Sequence, residues 1–318
     1  MNPISSDKKL AILIDADNAS ADIIEPLLAE IAKYGIASVK RIYGDWSSGL
    51  NKWKEALLPH AIIPVQQFAY TKGKNATDMA MVIDAMDLLY SGTFDGFCII
   101  SSDSDFTRLA SRIRESGLKV YGFGEQKTPE AFRKACDAFI FVENLIRTNE
   151  NKNEPVRPSE KEETDTAALH KLIYHAIKET ADENGWAQLG AVGNYLNKTQ
   201  PDFDHRSYGY SKFSDLIRAV PVIEFKTGSS HSDLYVRRQS FRRFIRLTQE
   251  IIDAYSDSEG FVPLNTVCSK IRQHDPYFSP KTLGHKTVSQ AVRAIHSGWV
   301  EITEYEGKER IRNLKHMM

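Results

Sequence analysis

The chain has 318 residues, of which 42% are hydrophobic and 26% charged, and its net charge is −1. That length allows two or three domains with cores of their own, and no apolar run approaches the roughly 20 residues that cross a membrane. The near-neutral total hides an imbalance: residues 1–165 carry 20 basic and 25 acidic side chains, a balance of −5, and residues 166–318 carry 21 and 17, a balance of +4.

Leu10-Ala11-Ile12-Leu13-Ile14 is a continuous apolar run, the pattern of a strand buried on both faces, and it stops at Asp15-Ala16-Asp17-Asn18. A helix over Ser20–Tyr34, regular from about Ile24 because of Pro26, closes at Gly35. Strands over Ala37–Tyr43 and Ile62–Phe68 flank a short helix at Leu50–Leu58. Lys72-Gly73-Lys74-Asn75-Ala76-Thr77 leads to Asp78, which opens a helix ending at Tyr90. Its expected apolar face is Met79, Val82, Ile83, Met86 and Leu89 or Tyr90. Phe97–Ser101 is a central strand that ends abruptly at Ser102-Asp103-Ser104-Asp105. A helix over Phe106–Ser116, a strand over Lys119–Phe123, a helix over Pro129–Ala135 and a strand over Ala138–Val142 follow. This alternation predicts an α/β domain over residues 8–147, a mainly parallel sheet flanked by helices.

Residues 148–165 contain a single apolar side chain, Val156, and have the composition of a flexible linker. Beyond them lies a repeat at a spacing of 75 residues: Gly185-Trp186 matches Gly260-Phe261, Leu189 matches Leu264, Val192 matches Val267, and Arg218-Ala219 matches Arg293-Ala294. Each copy opens with an amphipathic helix, Leu169–Ala181 or Phe244–Tyr255, and ends in a β-rich segment. Three helices and a two-stranded wing predict two small winged-helix-like α+β modules, over 166–238 and 241–316. A mildly basic tail suits contact with nucleic acid.

Asp15, Asp78, Asp103 and Asp105, with Asn18 and Asp17 close by, sit where strands end or a helix begins. In an open α/β sheet the crevice beyond the carboxyl ends of the strands takes the ligand. Carboxylates gathered there call for a hard cation with oxygen ligands, Mg²⁺ or Mn²⁺. Such an ion can promote in-line attack on a phosphodiester. The same residue types also cap helices and turns. Lys72 and Lys74 are candidate phosphate contacts, as are Lys52 and Lys54; Trp46, Trp53 and Tyr70 are candidate stacking residues. The run from Arg237 through Arg238, Arg242 and Arg243 to Arg246 is the strongest basic patch, and a solvated helix face is its alternative reading.

The cysteines Cys98, Cys136 and Cys268 form no metal spacing and no disulfide framework, which fits a reducing compartment and core positions. The stretch Met1 to Lys9 has no apolar signal core, so a cytoplasmic location is expected. The nine histidines are scattered, which supports neither zinc binding nor Ser-His-Asp or Cys-His catalysis. Asp15-Ala16-Asp17 is also an Asp-x-Asp after a first strand, as in haloacid-dehalogenase-type phosphatases, but Ala19 stands where that chemistry usually has Thr or Val.

Leu13-Ile14-Asp15-Ala16-Asp17-Asn18, Lys74-Asn75-Ala76-Thr77-Asp78 with Asp84, and Ser101-Ser102-Asp103-Ser104-Asp105-Phe106 together resemble the three motifs of NYN domains, the LabA-like branch of the PIN-like nuclease superfamily. The resemblance implies a metal-dependent endoribonuclease. Asp15 and Asp103 would be core metal ligands, Asp78 and Asp105 would complete the set, and Asn18 would orient metal or substrate. Asp17 and Ser102 depart from the commonest residues at their positions, and neither departure removes a carboxylate. Gly185-Trp186-Ala187-Gln188-Leu189 and Tyr210-Ser211-Lys212-Phe213-Ser214-Asp215-Leu216 resemble OST-HTH/LOTUS modules, with a looser second copy. These imply RNA, single-stranded or structured, as a partner and docking of proteins as a second use. Tyr208, Tyr210 and Lys212 in the first copy, and His285 and Lys286 in the second, are candidate contacts. The alternative to an enzyme is a catalytically silent adaptor that binds RNA and recruits partners.

Overall fold

The computed structural model describes residues 8–47, 49–68, 76–150, 160–228 and 233–314, with the backbone alone for 147–150 and 160–165. The chain divides into two compact units, Met1–Arg157 with Leu196–Lys212, and Pro158–Tyr195 with Phe213–Met318.

In the first unit, strands β1 (Lys9–Asp15), β2 (Ile36–Gly44), β3 (Ile63–Gln66), β4 (Gly96–Ile100), β5 (Lys119–Gly124) and β6 (Ala138–Phe141) form one sheet. Every neighbouring pair is parallel, and the order is β3-β2-β1-β4-β5-β6. Helices α1 (Ile24–Ile31), α2 (Asn51–Leu57), α3 (Ala76–Tyr90), α4 (Thr107–Glu115), α5 (Glu130–Ala135) and α6 (Val142–Glu150) cross between strands or follow the last one. One face of the sheet buries Ala11, Leu13, Tyr43, Phe97 and Ile99 against α3, α4 and α5. The other buries Leu10, Ile12, Ile14, Ile42, Cys98 and Ile100 against α1, α2 and α6. Alternate residues of β1 and β4 thus enter opposite cores, which is why both strands are unbroken apolar runs. Pro64 is tolerated because β3 is an edge strand.

Helix α3 presents a different face from the one its spacing suggests. Met81, Ala85 and Leu89 are buried, with Val82, Met86 and Leu88 packed beside them. Met79 and Ile83 are both 59% exposed. The helix is apolar on most of its circumference, so periodicity alone leaves its rotation open. Helix α6 occupies a stretch that composition had joined in part to a linker, and Leu145 anchors it under the sheet.

The second unit contains α7 (Glu160–Thr180), which begins inside the expected linker at a Glu- and Lys-rich run of good helix formers. Next come β7 (Ala187–Gln188), α8 (Leu189–Thr199, which ends in the first unit), α9 (Phe213–Ala219), β8 (Ile223–Thr227) and β9 (Leu234–Arg238). The second repeat follows as α10 (Phe241–Tyr255), β10 (Phe261–Pro263), α11 (Leu264–His274), α12 (Val288–Arg293), β11 (Val300–Tyr305) and β12 (Lys308–Asn313). Each repeat adds a two- or three-residue strand to its hairpin, giving sheets β7-β9-β8 and β10-β12-β11 rather than bare two-stranded wings. Strands that short carry no period to detect. Phe244, Val267, Ile271, Val292 and Ile311 form the core of the second repeat.

Candidate active site

The strand order reverses between β1 and β4, and at such a switch point the chain leaves the two strands in opposite directions and opens a crevice at their carboxyl ends. Asp15 closes β1, and Ser101 follows β4. Asp15 is 1% exposed. Its Oδ1 accepts from the backbone N–H of Asp17 at 3.1 Å, and its Oδ2 accepts from Asn18 Nδ2 and Ser101 Oγ, each at 2.8 Å. Three donors explain how a carboxylate survives that depth. Ser101 Oγ also accepts from the Asp103 N–H at 3.1 Å, so one hydroxyl ties the ends of the two strands together.

Asp103 caps the 3-10 turn Ser104–Phe106 that leads into α4, its Oδ1 accepting from the Asp105 N–H at 2.9 Å. Asp78 sits in the first turn of α3. One carboxylate oxygen from each of Asp78, Asp103 and Asp105 lies within 4.8 Å of the others. Asp103 therefore both caps and joins the cluster; the two readings of its residue type are compatible. Burial, and then the charges of Asp15, Asp103, Asp105 and Asp17, push the Asp78 carboxyl up to about 6. Asp17 is raised as well, by burial and then by Asp15 and Asp45, against a hydrogen bond from Thr77. Mutual repulsion of this kind, with oxygen donors only, suits a small hard cation.

Glycine at position 124 belongs to the same construction. A Cβ there would lie 2.6 Å from the Ser101 carbonyl oxygen, so only glycine lets β5 run this close to the site. Asp84, which accompanied Asp78 in the sequence motif, is engaged elsewhere: it accepts from Arg41 and from the Tyr43 hydroxyl.

Family models match the chain in three segments. Residues 9–143 match the NYN domain, and residues 163–235 and 238–312 each match the OST-HTH/LOTUS domain. The chain is an NYN domain followed by two OST-HTH/LOTUS domains. No curated protein matches it. Among solved structures it is similar to VPA0982 of Vibrio parahaemolyticus, a protein described as of unknown function. That match has 18% identity and a TM-score of 0.36, and covers 42% of this chain and 93% of the other. It is also similar to an uncharacterized protein from locus NE0665 of Nitrosomonas europaea, at 34% identity and a TM-score of 0.22, over 29% of this chain and 84% of the other. Overlays this partial add nothing to the assignment. The NYN and OST-HTH/LOTUS domains support a nuclease-type or RNA-binding role.

The remaining expected contacts are dispersed. Lys72, Lys74 and Tyr70 lie outside the described residues. Lys52 pairs with Asp22 at 2.9 Å. Trp53 is a core residue whose Nε1 donates to the Ala19 carbonyl, and Trp46 donates to that of Val65. Tyr208 and Lys212 are exposed and Tyr210 half-buried, all within 196–212 of the first unit. In the second unit Arg238, Arg242 and Lys286 are exposed, with the Arg238 guanidinium 4.2 Å above the Tyr174 ring. Arg243 donates to the Asn184 carbonyl oxygen at 2.7 Å. Arg237 departs most from expectation. It is 3% exposed, donates through Nε to Glu224 at 2.9 Å and through Nη2 to Asp275, and lies over the Trp186 ring. It holds the two repeats together rather than facing solvent. Ser101 was legible only as part of a motif; its bridging role needs the third dimension.

Proposed function

We propose that the protein is a metal-dependent endoribonuclease whose OST-HTH/LOTUS tail binds RNA. The observation that carries this reading is the convergence of Asp78, Asp103 and Asp105 beside the buried Asp15 at the switch point of the sheet. Asp78, Asp103 and Asp105 would hold Mg²⁺ or Mn²⁺, and the donor set fits such an ion because it is all carboxylate oxygen. Once bound, a divalent cation polarises the phosphodiester and stabilises the leaving oxygen. Asp15 adds a fixed negative charge beneath the three ligands, and Asn18 with Ser101 keeps its carboxylate from turning. Exposed Arg238, Arg242 and Lys286 give the tail cations for phosphate contact, and tethering raises the concentration of RNA near the head. Three isolated thiols suit a cytoplasmic setting.

Asp103→Asn keeps the cap but removes one charge from the cluster. It is expected to lower RNA cleavage in Mn²⁺ or Mg²⁺ by about 10³-fold or more, while RNA binding by the full chain changes little. Labelled single-stranded and hairpin RNA, with EDTA controls, provide the assay. Equal turnover by this variant sinks the assignment. No cleavage by rigorously purified wild type, with RNA binding retained, transfers the role to a silent RNA-binding adaptor.

A further inference from the structure

Within the second unit a cavity of about 580 Å³ opens between the two OST-HTH/LOTUS repeats. Trp186 and Lys226 line it from the first repeat, and Arg243, Arg246 and Tyr277 from the second. Its walls are fixed to each other. Arg237, between the two matched segments, donates to Glu224 of the first and Asp275 of the second, and the Ser279 N–H donates to Glu224 Oε1 at 3.3 Å. The rings of Trp186 and Tyr277 meet at 82° with centroids 5.7 Å apart, and Tyr277 is still 44% exposed.

The cations of this cleft are uncommitted. Arg243 Nη1 donates to the Asn184 carbonyl oxygen at 2.7 Å, whereas its Nε and Nη2 are unburied and without a partner among the described residues. Lys226 Nζ faces rings instead of a carboxylate, 5.7 Å from the Trp186 centroid and 5.8 Å from those of Tyr235 and Tyr277. Neither side chain, nor Arg246, forms an ion pair among the described residues. Burial, and then the charge of Arg237, hold the Arg243 guanidinium below the usual arginine range, and a bound anion would offset both. Of the carboxylates along the cleft, Asp182 is occupied by the N–H groups of Asn184 and Trp186, at 2.9 and 2.8 Å. Glu183 and Glu250 are exposed and oppose an anion.

We propose, building on the RNA-binding tail above, that the cleft between the repeats seats single-stranded RNA, with phosphates at Lys226, Arg243 and Arg246 and one base stacked on Tyr277. Guanidinium forks match phosphate oxygens, and an open tyrosine ring takes the face of any base. A duplex leaves no base face free to stack. Because each repeat supplies only part of the lining, the site exists only in the tandem.

The test titrates full-length protein into a short labelled single-stranded RNA of mixed sequence, in EDTA, and follows fluorescence anisotropy across a salt series. Tyr277→Leu is expected to weaken binding about tenfold with the salt slope unchanged. Arg246→Gln is expected to weaken it about threefold at low salt and to shallow the slope by roughly 0.7. Glu250→Gln, on the same face of α10 as Arg243 and Arg246, is expected to tighten it about threefold, a gain that a merely structural role does not produce. Wild-type affinity in Tyr277→Leu, or no gain in Glu250→Gln, overturns the cleft and leaves the RNA-binding tail standing. No binding by wild type overturns both. An oligoglutamate peptide that displaces the RNA as well as unlabelled RNA does would assign the cleft to an acidic protein segment and overturn the proposal. The three expected effects, with no cleavage of the same RNA in Mn²⁺ or Mg²⁺, keep the cleft and remove the nuclease.

Discussion

Asp78 carries the largest electrostatic tension in the site. Folded, its carboxyl holds a proton up to about pH 6, while its ordinary value is 3.8. Between those values the folded chain binds more protons than the unfolded one, so the contribution of this group to stability is present below about pH 4 and is lost as pH rises through 6. In EDTA at pH 7, Asp78→Asn is therefore expected to stabilise the protein by about 1 kcal/mol, discounted for partial exposure, with the gain gone below pH 4. Adding Mn²⁺ should reverse the order at pH 7, because wild type alone then keeps the full carboxylate set. Thermal melts at the two pH values, with and without metal, check both halves; a variant less stable than wild type in EDTA contradicts the repulsion. Ser101 and Asn18 act at the same scale without charge. They hold one carboxylate oxygen between two donors, each at 2.8 Å, and so convert a flexible side chain into a fixed one.

At the scale of elements, the site depends on how closely β5 and its neighbours approach. A Cβ at Gly122 would lie 2.6 Å from a Phe139 ring carbon and 2.7 Å from Cys136 Sγ. Gly122→Ala is expected to destabilise the protein by about 2 kcal/mol, since Phe139 and Cys136 are both buried and have little room to move. Urea unfolding followed by tryptophan fluorescence would read the change, and an unchanged midpoint would show that β6 yields. Helix α10 illustrates the reverse case. Its basic residues read as a patch in sequence, yet Phe244, Ile245, Ile251 and Ile252 bury one side, and Arg243 bonds to a backbone carbonyl. Only part of the patch remains for RNA, and Arg237 just before it is committed to Glu224 and Asp275.

For the whole molecule, the proposed division between a cleaving NYN domain and an RNA-binding tail predicts separable effects. Arg238→Gln combined with Arg242→Gln is expected to weaken RNA binding several-fold at low salt. It should also shallow the dependence of log affinity on log salt by roughly 0.7 for each phosphate of a single strand that the variant no longer neutralises. Cleavage at saturating RNA should stay unchanged, because both residues belong to the second unit and the carboxylates to the first. Filter binding across a salt series measures the slope; an unaltered slope removes these arginines from the interface.

Much of this organisation was written locally. Short apolar runs such as Leu10–Ile14 and Phe97–Ile100, each stopped by polar turn residues and alternating with helical patterns, suit strands buried on both faces, and carboxylates at strand ends and a helix start follow the same order, so the parallel α/β class and the acidic positions that bring Asp78, Asp103 and Asp105 together were both legible. The repeat of 75 residues announced two modules for a similar reason: one pattern, twice, buries one core, twice. Tertiary structure alone decided the rotation of α3, where Met81 rather than Met79 faces the sheet, because a helix apolar on several sides is turned by its neighbours. It also decided the fate of Arg237, whose partners lie 13 and 38 residues away. Charge in a sequence states what a side chain carries; only packing states which other charges it meets.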